Sequence, residues 1–193
     1  MKVTTEVECP LCGSIVKFGW ETTDVPHFGE VMVIAGTCEH CGFKHTDTIL
    51  LTQGEPTRYT FEIRGVEDLN VRVIRSTSGT IRLPDLGVDV EPGATSDACI
   101  TNVEGVLQKI KGVVSFATRS ARDAGAEENA RRGDEILECI AKAMEGRYPL
   151  TLVLEDPLGN SAIISEDAIS SELTDEECES LKTGMIILDG DGG

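Results

Sequence analysis

Four cysteines in two matched pairs are the residues of this chain best suited to chemistry. The pairs are Cys9-Pro10-Leu11-Cys12-Gly13 and Cys38-Glu39-His40-Cys41-Gly42. Two intervening residues let both sulfurs of a pair reach one metal ion, and the following glycine can adopt a positive φ that turns backbone N–H groups toward sulfur. Because four thiolates suit tetrahedral zinc, the pattern predicts one zinc ion bound by Cys9, Cys12, Cys38 and Cys41.

Disulfide bonds and a redox dithiol are the alternative chemistries for these cysteines. Seven cysteines are an odd number for a disulfide framework, and the N-terminal sequence MKVTTEVECP lacks the apolar run of a signal peptide. These features favour reduced thiols in the cytoplasm. Four cysteines fill the tetrahedron, so we expect a structural zinc. His27, His40 and His45 are then interpreted as packing or surface residues.

The chain is strongly acidic. It has 17 Lys and Arg against 34 Asp and Glu, a net charge of -17. This charge repels phosphate backbones and anionic membranes, and no stretch reaches the roughly 18 consecutive apolar residues of a membrane span. The acidic surface is interpreted first as an aid to solubility and second as a face for a basic protein partner.

Three regions follow one another along the chain. Residues 1–54 contain the paired cysteines and all three histidines and form the predicted zinc finger. Residues 55–165 form a predicted β-domain, because Tyr59, Phe61 and Ile63 alternate with polar residues and short strand patterns recur to residue 91. Residues 166–193 form an acidic C-terminal segment, within which Thr174 and Glu177 predict a capping box.

A helical hairpin is predicted to interrupt the β-domain at about residues 101–146. Apolar residues recur at helical spacing from Val103 to Ala117, with either Val113 or Val114 on the apolar stripe. A second stripe runs from Ile136 to Met144. Thr101 and Glu104 form the predicted capping box of the first helix. The predicted fold class is therefore mainly β, with a helical insertion.

Further motifs occur in a fixed order along the chain, the first between the two cysteine pairs and the others after them. They are Val25-Pro26-His27-Phe28-Gly29-Glu30-Val31, Arg75-Ser76, Ile81-Arg82-Leu83-Pro84-Asp85-Leu86, Asn102-Val103-Glu104-Gly105-Val106-Leu107 and Glu155-Asp156-Pro157-Leu158-Gly159-Asn160-Ser161. Together these motifs resemble the ZPR zinc-finger protein family. The resemblance implies a zinc finger followed by a double-stranded β-helix domain with an inserted helical hairpin. A single set of motifs indicates the single-module form expected of an archaeon.

The resemblance implies a protein partner and no reaction. Relatives bind translation elongation factor 1-alpha and act as a chaperone during its folding, so we expect a non-enzymatic adaptor or chaperone for that GTPase. Val25, Pro26, His27 and Phe28 form an apolar segment that either contacts the partner or packs the core of the small finger.

Two other classes of function stay open. An enzyme that uses the β-domain cavity is the less favoured alternative. The sequence contains no histidine after His45 and no phosphate loop, and each of the remaining cysteines, Cys99, Cys139 and Cys178, is isolated in the sequence. Nucleic-acid binding suits a four-cysteine ribbon but conflicts with the net charge. A basic patch for nucleic acid would lie on the predicted hairpin and would consist of Lys109, Lys111, Arg119, Arg122, Arg131 and Arg132. The alternative is that these residues pair with nearby carboxylates on an ordinary solvated helix face.

Overall fold

The computed structural model of the chain describes residues 2–25, 29–93 and 98–183, without the side chains of residues 2 and 47–50. The chain divides into two compact units, Met1–Gly54 and Glu55–Gly193. Both units consist mainly of antiparallel β-strands, and the described part of the second also contains three α-helices.

The first unit is a four-stranded antiparallel meander. Its strands are β1 (Lys2–Glu8), β2 (Ile15–Val25), β3 (Gly29–Thr37) and β4 (Lys44–Leu50). The β1–β2 and β3–β4 turns, which carry the cysteine pairs, lie at the same end of the meander because consecutive strands run in opposite directions. Phe18 of β2 pairs with Gly36 of β3, where a β-carbon would come within 2.8 Å of the Phe18 ring. Only glycine therefore leaves room for this ring beside the metal end of the sheet.

The second unit contains two antiparallel sheets. Its strands are β5 (Thr57–Ile63), β6 (Arg72–Arg75), β7 (Thr80–Leu83), β8 (Val88–Val90), β9 (Cys99–Asn102), β10 (Leu150–Asp156), β11 (Ala162–Ile164) and β12 (Ile169–Glu172). One sheet has the order β12-β5-β10-β7-β8 and the other the order β11-β6-β9. The short segments Glu67–Asn70 and Pro84–Leu86 are 3-10 helices. Both sheets bury side chains in one apolar cluster, which makes this unit a two-layer β-domain.

The helical hairpin enters between β9 and β10. Helix α1 spans Val103–Asp123 and helix α2 spans Glu127–Met144. The apolar stripe of α1 lies in the core, where Val114 packs against the cluster while Val113 is 60% exposed. The helices approach closely at Gly133, where a β-carbon would lie 2.0 Å from Thr118 Oγ1. The prediction of a mainly β-domain with an inserted helical hairpin is confirmed.

The start of α1 differs by one residue from the predicted capping box. The structure places Asn102, and not Thr101, at the N-cap, where its side-chain oxygen accepts a hydrogen bond from the Gly105 amide at 2.9 Å. Asn and Thr are both good N-cap residues, and it is Asn102 that has the extended backbone and the side-chain hydrogen bond of the cap. In addition, the Thr101 side chain lies only 2.2 Å from where a β-carbon on Gly105 would be, so a glycine is needed there.

Residues after 165 contribute to the second unit as far as the structure describes them. Strand β12 pairs with β5, from Ile169 opposite Thr60 to Glu172 opposite Thr57. Helix α3 (Asp175–Ser180) follows, and the predicted capping box of Thr174 and Glu177 is present at its start. The acidic segment therefore supplies an edge strand and a short helix up to residue 183.

Candidate metal centre

The two cysteine pairs occupy equivalent turns. In each turn the amide of the first cysteine donates to a carbonyl five residues later, from Cys9 to Ser14 at 2.8 Å and from Cys38 to Phe43 at 2.7 Å. Gly13 and Gly42 have φ values of 71° and 75°, and no atom lies within 4 Å of where their β-carbons would be. These glycines are therefore required by the left-handed backbone and not by crowding.

The four cysteine sulfurs are close enough to hold one metal ion. All four Sγ atoms lie within 4.8 Å of one another. The Sγ atoms of Cys9 and Cys41 are 3.6 Å apart, as are those of Cys12 and Cys38. In a tetrahedral site with zinc–sulfur bonds of about 2.3 Å, the sulfur atoms lie roughly 3.8 Å apart. In a disulfide bond the sulfur–sulfur distance is about 2.05 Å. The arrangement thus fits tetrahedral zinc and does not fit disulfide bonds.

The metal site has one buried side and one exposed side. Cys9 and Cys38 are buried with Val16, and Phe18 and Phe43 pack against them. By contrast, Cys12 and Cys41, the second residue of each pair, are exposed. The apolar side chains keep water from two of the sulfurs, which favours metal–thiolate bonds at the base of the site.

The histidines lie apart from the four sulfurs in the part of the chain that is described. The His45 ring packs edge-on against Phe18, with 5.8 Å between ring centroids, and His40 is exposed on the second turn. No histidine there belongs to the group able to hold a metal. His27 lies outside the described residues.

Four thiols this close cannot all ionise near neutral pH unless a cation compensates their charge. Hydrogen bonds from the backbone and side chain of Ser14, with smaller contributions from Cys41 and Cys38, lower the pKa of the Cys12 thiol to about 6. A backbone hydrogen bond from Phe43 also lowers the pKa of Cys41, but desolvation and the neighbouring thiols together raise it to about 12. One ionised sulfur therefore suppresses ionisation of another, and a divalent cation would remove this conflict.

Both units match domains of one protein family. Residues 3–49 match the ZPR1 zinc-finger domain, and residues 67–182 match the ZPR1 jelly-roll domain. The chain belongs to the ZPR1 family. The predicted family is thus confirmed, as are the zinc-finger and β-domain architecture and the single module.

Similar ZPR1 proteins occur in archaea and in eukaryotes. An uncharacterised ZPR1-like protein of Pyrococcus horikoshii is 40% identical over 94% of this chain and 82% of that protein. Another, from Methanocaldococcus jannaschii, is 38% identical over 98% of this chain and 95% of that protein. The zinc finger protein ZPR1 of Homo sapiens is 32% identical over 73% of this chain but only 31% of the human protein. The chain therefore corresponds to about a third of its human relative.

The ZPR1 motif at residues 155–161 builds a buried polar network. Asp156 is 1% exposed and ends strand β10. Its carboxylate accepts hydrogen bonds at 2.6–2.7 Å from the hydroxyls of Ser76, Ser78 and Ser161. It also accepts hydrogen bonds at 2.9–3.0 Å from the backbone amides of Leu158 and Asn160. These bonds tie the turn after β6 to the turn after β10. The motif is therefore part of the framework of the unit.

A chain of ion pairs, which the sequence motifs did not reveal, crosses the five-stranded sheet. The buried carboxylate of Glu155 contacts Arg58 on one side and Arg82 on the other, both at 2.6 Å. Arg58 also reaches Glu177 of α3 at 2.8 Å, and Arg82 reaches Asp89 at 2.6 Å. The network thus attaches the C-terminal helix to the sheet.

Arginines of the helical hairpin pair largely with its own carboxylates. Arg122 contacts Asp134 at 2.7 Å, while Arg131 and Arg132 contact Glu135 at 3.4 and 3.6 Å. These pairs match the interpretation of an ordinary solvated helix face, which weakens the alternative of a nucleic-acid patch. Among the described residues, no helix is long and apolar enough to cross a membrane.

The predicted partner segment is only partly described. Val25 ends strand β2 and pairs with Gly29, the first residue of β3. Pro26, His27 and Phe28 lie outside the described residues. The structure therefore places Val25 at the end of the meander opposite the cysteine turns.

Proposed function

We propose that this chain is a zinc-dependent chaperone of translation elongation factor 1-alpha, working in the cytoplasm of an archaeon and without catalysis. Cys9, Cys12, Cys38 and Cys41 would coordinate one structural zinc ion. Membership of the ZPR1 family supports the proposal. So does the relative named zinc finger chaperone zpr1 in Schizosaccharomyces pombe, which is 28% identical over 82% of this chain.

In this proposal the zinc ion holds the two cysteine turns together and so fixes the surface that contacts the partner. The sulfurs come from two turns that are 26 residues apart from Cys12 to Cys38, so one ion joins β1–β2 to β3–β4. Four thiolates leave no open coordination position, and the ion then stabilises the fold without activating water.

Exposed apolar side chains beside the cysteines are the observation that carries the proposal. Leu11, between Cys9 and Cys12, is 72% exposed, and Ile15 at the start of β2 is 61% exposed. A chaperone must contact apolar surface of a partly folded client, and exposed apolar groups held by a rigid turn suit that contact. Because Leu11 lies between two ligands, its position would depend on zinc. We include Val25, Pro26, His27 and Phe28 as a second contact segment of the same unit.

Refolding of purified archaeal elongation factor 1-alpha tests this function directly. Denatured factor is diluted into buffer with the zinc-loaded chain, and recovery is measured as guanine-nucleotide binding. We expect a higher yield with the native chain, and a loss of that gain with Leu11→Asp/Ile15→Asp or with Cys38→Ser/Cys41→Ser. Phe28→Ser tests the second segment in the same assay.

The matched control is Ile169→Asp, which alters an apolar side chain of 70% exposure on the second unit. It should leave the gain in yield intact. The proposal fails if the native chain gives no gain in refolding yield, or if the control and the Leu11→Asp/Ile15→Asp variant lose it equally.

A further inference from the structure

An apolar groove lies in the second unit between helix α1 and strands β6 to β9. Val106, Ile110 and Val113 form one wall, at positions i, i+4 and i+7 of the helix. Ile81 and Val90, which are paired neighbours on β7 and β8, line the strand side. The groove encloses about 270 Å³, just below the roughly 300–1,000 Å³ of most small-molecule sites. Its size and lining therefore suit a short aliphatic chain.

Arg75, the last residue of β6, adds a positive charge to the lining of this groove. The residue is only 9% exposed. Its Nε donates to the Gly79 carbonyl at 2.8 Å, and no carboxylate among the described residues forms an ion pair with its guanidinium. Removing a guanidinium from water without a counter-ion costs free energy. An anionic group that enters the groove would supply the missing counter-ion.

Lys109 adds a second positive charge from the helix side of the groove. Its Nζ lies 3.8 Å from the Sγ atom of Cys99, which is the partner of Arg75 in the β6–β9 ladder. Lys109 also forms no ion pair with any residue that the structure describes. Glu91 lines the groove as well, but its carboxylate accepts a hydrogen bond from Lys182 Nζ at 2.6 Å, which compensates its charge. Two cations without a carboxylate partner are unexpected in a chain of net charge -17, and they make this end of the groove suitable for an anion.

We propose that this groove binds a small aliphatic carboxylate, whose carboxylate group contacts Arg75 and Lys109 and whose hydrocarbon chain lies against Ile81, Val106 and Ile110. A guanidinium can donate two parallel hydrogen bonds to a carboxylate, and an ammonium adds a compact second charge. The hydrocarbon chain leaves water on the apolar walls. All residues of this site belong to the second unit, so the proposal does not rest on the chaperone function proposed above.

NMR titration of the zinc-loaded full chain with 4-methylpentanoate tests this binding. The methyl signals of Ile81, Val106 and Ile110 are followed in a buffer free of other carboxylates, and we expect saturable shifts of these signals. The amide 4-methylpentanamide has the same shape but no charge, so it should bind at least about tenfold more weakly, because hydrogen bonds to a charged group are stronger than neutral ones. Acetate has the charge but no aliphatic chain, and it should also bind more weakly.

A matched pair of lysine variants tests which charge the carboxylate contacts. Lys109→Gln should weaken the binding of 4-methylpentanoate about tenfold, whereas Lys111→Gln, at an exposed position of the same helix outside the groove lining, should not change it. Arg75→Gln should weaken binding at least as much; if this variant does not fold, the lysine pair decides. Equal affinities for the acid and the amide, or an unchanged affinity in Lys109→Gln, would overturn the proposal. Absence of saturable shifts, or shifts confined to methyl groups outside the groove, would overturn it as well.

Discussion

The two units of this chain bury apolar surface on very different scales. In the described part of the first unit, one buried cluster consists of Cys9, Val16 and Cys38, with Phe18 and Phe43 partly covering it, and Val31 and Ile34 of β3 are buried outside that cluster. Two of its three buried members are cysteines of the metal site. A unit of this size with so small a core rarely folds on hydrophobic burial alone.

The second unit has the core that the first lacks. Leu150, Leu152 and Leu154 are at most 2% exposed along β10, and side chains from both sheets and both long helices join them. Each such side chain contributes roughly 1.5–3 kcal/mol on burial. Metal coordination would therefore stabilise the first unit and side-chain packing the second, so treatments that act on one unit should spare the other.

Removing zinc should produce the largest effect, and it should be confined to the first unit. Structural zinc contributes on the order of 10 kcal/mol to the folding of such modules, more than the total stability of most domains. Chelation or Cys38→Ser/Cys41→Ser should abolish amide-exchange protection of β1–β4 while β5, β7 and β10 stay protected. Hydrogen-exchange mass spectrometry checks this.

Cys139→Ser/Cys178→Ser serves as the control for that experiment, since it removes two thiols from the second unit. It should leave protection of β1–β4 unchanged. Persistent protection of β1–β4 in the chelated chain would show that packing alone holds the first unit, and the contrast between the units would be lost.

Asp156→Ala should give the next largest effect, on the second unit alone. The change leaves three hydroxyls and two amides without their buried acceptor, and breaking such a network costs about 3–5 kcal/mol. Urea unfolding of the second unit measures the loss. Asp167→Ala, at an exposed position, is the control and should change stability by less than about 0.5 kcal/mol. Similar midpoints for the two variants would contradict a structural role for Asp156.

Two glycine substitutions test the packing of the helical hairpin, and their expected effect on stability is smaller. Gly133→Ala would place a methyl group 2.0 Å from Thr118 Oγ1, so the helices must separate and stability should fall by about 1–3 kcal/mol. Gly112→Ala, also within a helix but with nothing within 4 Å, should instead raise stability by up to about 1 kcal/mol. Thermal unfolding of both variants checks the opposite signs. A Gly133→Ala variant as stable as the native chain would mean that the helices tolerate a wider separation.

Sequence alone predicts those features that depend on neighbouring residues. The cysteine turns, the helical hairpin and the capping box at Thr174 each depend on residues a few positions apart, and their local chemistry is specific. The partners of Asp156 include Ser76 and Ser78, which are 80 and 78 residues away, and Glu155 pairs with Arg58 across 97 residues. Such contacts follow from strand order, which periodicity does not encode. For the same reason the pairing of β12 with β5 was not predicted.

The smallest expected effect is the pH response of the C-terminal helix. Hydrogen bonds from the Thr174 backbone, the Arg58 guanidinium and the Thr174 hydroxyl lower the pKa of Glu177 to about 2. A carboxyl whose pKa is lowered on folding stabilises the fold above its unfolded pKa, and this contribution is lost as pH falls from about 4.5 towards 2. Because more than a third of the Glu177 side chain is exposed, the contribution is small and screened by salt.

NMR titration of the Glu177 carboxyl should therefore give a pKa well below the pKa of an unpaired glutamate. Arg58→Gln removes the charged partner of Glu177 but retains the Thr174 cap, so it should move the pKa only part of the way back. Arg64→Gln is the control, because the ion pair of Arg64 is with Glu62 and not with Glu177. If Arg58→Gln leaves the Glu177 pKa unchanged, the cap alone accounts for the shift, and the ion-pair network does not attach α3 to the sheet. The second unit would then hold its C-terminal helix by packing and capping, which would make its contrast with the metal-dependent first unit sharper still.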